Sequence, residues 1–158
     1  VKENLTAIFE GLLTIQRESG YAIVLPLHPR TKSKLSENLD GAVYEQLLSN
    51  SLIKIIEPVG FLDVIALEKN SAMIITDSGG LQKEAFFFQK PCIILRPQTE
   101  WVEIVENGNA ILVGASKSKI EAAYQTLASK NDFTFPTLYG DGAAAIFICE
   151  KIIKALNE

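Results

Sequence analysis

Five short apolar runs, "YAIVLPL", "LIKII", "AMIIT", "CIILR" and "AILVG", recur along the chain, and a stretch of helical spacing or a loop separates each from the next. Each run is continuous rather than alternating, which suits a strand covered on both faces, as in a parallel sheet. Parallel neighbours need long crossovers, and the intervening helices supply them. The alternation therefore predicts an α/β fold: a Rossmann-like parallel sheet with helices on both faces and right-handed crossovers. A chain of 158 residues, 47% hydrophobic, can fill one core and not two, so residues 1–158 are read as a single domain.

Leu5, Ile8, Phe9, Leu12 and Leu13 lie three and four apart, which puts them on one face of a helix from Lys2 to Ser19, stopped by the glycine of "ESGY". A polar helical stretch through "GAVYEQLLSN" follows the first run, "FLDVIALEKN" the second and "LQKEAFFFQ" the third. A short helix is expected within "TEWVEIVENG", and two more around Ile120 to Ser129 and Gly142 to Leu156. Phe86 to Phe88 read most simply as core packing, with a stacking platform as the alternative. The sequence contains no internal repeat, low-complexity segment or linker.

The formal net charge of −4 and pI near 5.1 argue against nucleic acid or an anionic membrane as partner, because an acidic surface repels both. Any phosphate bound here must be held locally. Cys92 and Cys149 form no C-x-x-C pair and read as buried, reduced thiols of a cytoplasmic protein. "VKENLTAIFEGLL" lacks the pattern of a signal peptide, and no apolar run approaches the roughly 18 residues of a membrane helix. Beginning inside a helical pattern without methionine, the chain reads as a piece of a longer protein. It has neither metal-ligand spacing nor a Walker loop nor a nucleophile elbow, so no metal and no cofactor is expected.

In open parallel sheets ligands bind at the carboxyl ends of the strands. Here those ends read His28-Pro29-Arg30, Glu57-Pro58, Asp77-Ser78-Gly79-Gly80 and Arg96-Pro97-Gln98-Thr99-Glu100. The third is the most informative. A helix start offers unpaired N–H groups and the positive end of the helix dipole; Gly79 and Gly80 leave room for an anion to reach the backbone, and Ser78 adds a hydroxyl. Leu81, three residues after Ser78, rules out a reciprocal capping box. The competing reading is a tight turn capped by Asp77 or Ser78. Glu84, roughly one and a half turns into the helix, is suited to accept hydrogen bonds from vicinal hydroxyls, or is a surface charge beside Lys83.

The run "TDSGGLQKEA…QKPCIILRPQTEWVEIVENGNAILVG", with "PLHPR" before it and "YGDGAAA" after it, resembles the C-terminal half of the UDP-N-acetylglucosamine 2-epimerases over nearly the whole chain. The resemblance implies one half of a glycosyltransferase-B-like two-domain fold, with UDP-sugar in the cleft between the halves and an N-terminal, catalytic-base domain absent from this chain. It assigns the diphosphate to Ser78, Gly79 and Gly80 and the uridine ribose to Glu84. It sets His28 near the diphosphate, as a catalytic candidate, and Arg96, Thr99 and Glu100 along the cleft. Tyr139-Gly140-Asp141-Gly142 matches a turn of structural role.

The family reaction removes the proton at sugar carbon 2, expels UDP to leave a glycal, and re-adds UDP with inverted stereochemistry at that carbon. A homodimer is implied for the full-length protein, in bacterial surface-polysaccharide synthesis. Three positions depart from the pattern. Val64 stands where some members stack an aromatic ring on uracil, with Phe61 nearby. Lys83-Glu84 replaces an acidic pair. Thr99-Glu100-Trp101-Val102-Glu103 resembles the branch acting on modified UDP-sugars such as diacetamido-glucuronate derivatives, although Trp101 equally suits packing at a domain interface. Two alternatives accompany this reading, the nucleotide domain of a glycosyltransferase of the same fold and a non-catalytic nucleotide-binding module.

Overall fold

A computed structural model describes residues 2–27 and 29–157. Helix α1 (Lys2–Ser19) buries Phe9, Leu12 and Ile15, the stripe its apolar spacing demands. The elements then follow as β1 (Ile23–Pro26), α2 (Pro29–Asn38), α3 (Gly41–Ser49), β2 (Ile53–Ile56), α4 (Phe61–Asn70) and β3 (Ile74–Thr76). The second half holds α5 (Gly79–Phe87), β4 (Cys92–Ile94), α6 (Val102–Glu106), β5 (Ala110–Leu112), α7 (Lys117–Ser129) and α8 (Ala144–Asn157). All the strand pairs are parallel, in the α/β arrangement expected.

The strands form two ladders rather than one. β1 pairs with β2, Ile23 opposite Ile53, while β4 lies between β3 and β5, Cys92 opposite both Ile74 and Ala110. Side-chain packing joins what hydrogen bonding does not. Ile8 and Ile75 contribute both to the cluster of α1, α2, α3 and β2 and to the cluster beneath α7. The central strand β4 is buried on both faces: Ile93 packs with Ile15, Ile120 and Leu127, and Cys92 and Ile94 pack with Ala85, Phe86 and Ile104. A continuous apolar run is what such a strand requires.

Three local expectations are corrected. The stretch through "GAVYEQLLSN" is two helices, because Asp40 caps α3, its Oδ1 accepting the N–H groups of Ala42 (2.9 Å) and Val43 (3.4 Å). Of the three phenylalanines only Phe86 is core, since successive helical side chains point about 100° apart; Phe87 is 55% exposed and Phe88 half-buried. Cys149 is exposed on α8, while Cys92 is buried. α8 buries none of its residues and presents Ile146, Phe147, Ile148, Ile152, Ile153 and Leu156 to the outside. Among the described residues, no helix is long and apolar enough to cross a membrane.

Candidate functional site at the carboxyl rim

The site is built on the ends of β3 and β4. At the end of β3 the buried Thr76 turns its Oγ1 back to accept the Ser78 N–H at 3.0 Å, and α5 begins at Gly79. Ser78 occupies the N-cap with extended backbone, yet its hydroxyl caps none of the helix N–H groups. The turn therefore keeps both hydroxyl and helix donors for another acceptor.

The loop after β4 leans over this turn. A Cβ placed on Gly79 would lie 3.5 Å from Glu100 Oε2, 3.7 Å from Arg96 Nη1 and 3.8 Å from Trp101 Nε1. Arg96 and Glu100 form a two-pronged pair, both N–H···O distances 2.9 Å, and the guanidinium holds the Glu100 carboxyl below its ordinary pKa. Thr99 Oγ1 donates to Gln82 Oε1 at 2.6 Å and accepts the Trp101 backbone N–H at 3.1 Å. The Trp101 indole donates to the Gly79 carbonyl at 2.8 Å. Two loop side chains, Thr99 and Trp101, thus fasten the loop to the first turn of α5.

Ser78, Gly79, Gly80, Arg96, Thr99 and Glu100 are thereby brought to one corner of the rim. Within it the Thr99 hydroxyl is engaged by Gln82, so it shapes the loop. Glu84 is half-buried farther along α5. At the neighbouring strand end Glu57 pairs with Lys32 at 3.0 Å. His28 lies outside the described residues. Val64 is half-buried in the first turn of α4, whereas Phe61 at the start of that helix is 69% exposed.

Several contributors were not legible as such in the sequence. Gln82 is fully buried beneath the turn; its signal is helical spacing, since Ala85 and Phe86, three and four residues on, are apolar. The Lys83 ammonium lies 4.5 Å from the ring centroids of both Trp101 and Tyr139, a cation–π arrangement from residues far apart in sequence. Tyr139 also meets Phe86 and Phe87 edge-on, in keeping with its structural role. Glu68 of α4 is buried, and burial first, then the negative charge of Glu84, pushes its carboxyl up to about 7. Burial first, and then the Glu68 charge, push the Cys92 thiol up to about 12, so that thiol is inert at neutral pH.

Fold and rim together define a Rossmann-like α/β domain with an uncapped helix start at the carboxyl edge of its strands. The chain belongs to the UDP-N-acetylglucosamine 2-epimerase family, whose profile it matches over residues 1–156. It is 43% identical over 150 residues to the UDP-2,3-diacetamido-2,3-dideoxy-D-glucuronate 2-epimerase of Pseudomonas aeruginosa, covering 95% of this chain and 40% of that protein. It is 43% identical over 157 residues to the UDP-N-acetylglucosamine 2-epimerase of Methanocaldococcus jannaschii, covering 99% and 40%. A crystal structure of the M. jannaschii UDP-GlcNAc 2-epimerase in complex with UDP-GlcNAc and UDP superimposes with a TM-score of 0.82 at 41% identity, over 98% of this chain and 41% of that one. The chain spans about 40% of the length of the curated relatives it matches.

Proposed function

We propose that this chain is the UDP-sugar-binding C-terminal domain of a sugar-nucleotide 2-epimerase, an isomerase that inverts carbon 2 by eliminating and re-adding UDP. The observation that carries the reading is the uncapped turn Ser78-Gly79-Gly80 at the start of α5, with Arg96 alongside. Helix donors and the Ser78 hydroxyl receive the diphosphate, where negative charge develops as UDP departs; donors fixed in advance stabilise that charge without reorganising. Glu84 takes the ribose hydroxyls, Phe61 supplies a ring for the base, and Glu100 orients Arg96. His28 assists at the diphosphate.

The proton chemistry at carbon 2 belongs to an N-terminal domain, which closes the cleft and covers the apolar face of α8. The relatives are about two and a half times as long as their match to this chain, and α8 has an uncovered face, both in keeping with such a companion. The assembled protein works as a homodimer in the cytoplasm, in bacterial surface-polysaccharide synthesis. Its loop Thr99-Glu100-Trp101-Val102-Glu103 favours a modified UDP-sugar, in line with the named substrate of the P. aeruginosa relative.

Calorimetric titration with UDP, with ADP and GDP as controls, tests the site. Ser78→Ala and Glu84→Ala are each expected to weaken UDP binding by about 1–3 kcal/mol, the loss of a hydrogen bond to a charged group. Unchanged affinity in both variants, with the fold intact, would remove the site assignment. The two-domain protein in deuterated water is expected to place deuterium at sugar carbon 2; transfer of the sugar without exchange would make the chain a glycosyltransferase domain.

A further inference from the structure

Trp101 is the single tryptophan of the chain, and it bridges the first turn of α5. Its indole N–H donates to the carbonyl of Gly79 at 2.8 Å, and its ring centroid lies 4.5 Å from the ammonium of Lys83, four residues further along the same helix. Residues four apart stand on one helix face, so the indole is held at two points one turn apart. The same ammonium lies 4.5 Å from the Tyr139 ring centroid and 5.8 Å from that of Phe87. Tyr139 in turn meets the indole edge-on, with ring centroids 5.6 Å apart and planes at 81°. Lys83 is half-buried, and no carboxylate pairs with it among the described residues.

An ammonium is strongly hydrated, and here ring faces rather than a carboxylate take the place of the water it gives up. A cation over an indole is attracted by the negative face of the ring and draws electron density toward itself, which makes the ring N–H a better donor. Lys83 thereby acts on the Gly79 carbonyl through the indole. We infer that Lys83 is a positioning residue of the diphosphate turn, its ammonium fixing the Trp101 indole so that the indole holds Gly79 and the helix start in the geometry that receives a nucleoside diphosphate. The inference rests on the reading of Ser78-Gly79-Gly80 as the diphosphate site and adds what keeps that turn in shape. It differs from a direct role, in which the ammonium would attract the anion by charge alone.

The single tryptophan makes the first arm of the test independent of any ligand. Exchange of the Trp101 indole N–H with deuterated solvent, followed by 15N-resolved NMR, is expected to quicken about 5-fold in Lys83→Met, which keeps the stem and removes the charge. Lys83→Arg, which keeps the cation, should stay within about 2-fold of the unmodified chain. Exchange unchanged in Lys83→Met overturns the inference. The second arm measures the affinity of UDP relative to UMP by calorimetry, a ratio that isolates the second phosphate. A residue serving stability alone leaves this ratio unmoved well below the unfolding midpoint. Lys83→Met is expected to lower the preference for UDP about 5-fold, and Lys83→Arg to keep most of it. In a chain already carrying Trp101→Leu, Lys83→Met should change the ratio by less than about 2-fold, since the indole through which Lys83 reaches the turn is gone. An equal loss in that background makes Lys83 a direct charge on the anion and overturns the inference. If neither UDP nor UMP binds, the reading of the site fails, and indole exchange by itself decides whether Lys83 holds Trp101.

Discussion

The indole N–H of Trp101 donates to the carbonyl of Gly79 at 2.8 Å, joining two positions 22 residues apart. Through this bond the loop after β4 and the turn after β3 become one unit, with the Lys83 ammonium over the indole. An anion-binding turn gains from such a clamp because donors fixed in advance cost less ordering when the ligand arrives.

Trp101→Phe removes the donor and keeps a ring for Lys83. The expected cost is about 1 kcal/mol of stability, measured as a shift in urea midpoint, with a parallel loss of UDP affinity. Trp101→Ala should cost more, since the cation–π and Tyr139 contacts go as well. Equal stability of Trp101→Phe and the unmodified chain would mean that the bond does not organise the turn.

Gly79→Ala separates approach from conformation. Its Cβ would meet its nearest neighbours at 3.5 to 3.8 Å, ordinary contact distances, and Gly79 is not among the glycines of positive φ. Unfolding should shift by no more than about 0.5 kcal/mol, while the methyl group, on the proposed path of the diphosphate to the helix start, should abolish UDP binding. Retained binding would show that glycine here serves something other than access.

Glu68 ties stability to pH. Its folded-state pKa of about 7 lies above the ordinary 4.5, so between those values the folded chain holds a proton that the unfolded chain has released. Stability is then expected to fall as pH rises from about 4.5 to 7 and to level off above. The slope stays below the full ~1.4 kcal/mol per unit of one proton, because solvent screens part of the charge. Urea midpoints between pH 5 and 8 should decline for the unmodified chain and decline less for Glu68→Gln. Parallel curves would show that Glu68 titrates as an ordinary carboxyl.

Gly11→Ala probes the scaffold. Its Cβ would come 2.9 Å from Ile120 Cγ2 and 3.2 Å from Ile120 Cβ, where α1 meets α7. Although alanine is the better helix former, overpacking should dominate and cost about 1–3 kcal/mol. Ile120→Val in the same chain should recover part of the loss. A more stable Gly11→Ala would mean that the two helices separate readily.

The apolar stripe of α1, the strand runs and the turn after β3 were legible in the sequence because each is encoded within about ten consecutive residues. Periodicity marks the buried face, and Ser78-Gly79-Gly80 after an apolar run marks the rim. The break at Asp40 was missed although its capping signal is local, since a polar stretch carries little periodicity from which to place a boundary. The clamp by Trp101, the bond from Thr99 to Gln82 and the burial of Glu68 had no comparable local signal.

By itself, then, the sequence determined the alternation of strands and helices, the parallel α/β class and the position of the turn after β3, since these follow from short-range patterns of apolarity and turn chemistry. Only the tertiary structure decided that the strands divide into two ladders, that Phe86 alone of the three phenylalanines is core, that α8 keeps its apolar side chains uncovered, and that Glu68 is buried. Those outcomes depend on how helices from distant parts of the chain close over β4, and close packing sets them through volume and contact, which no single stretch of sequence contains.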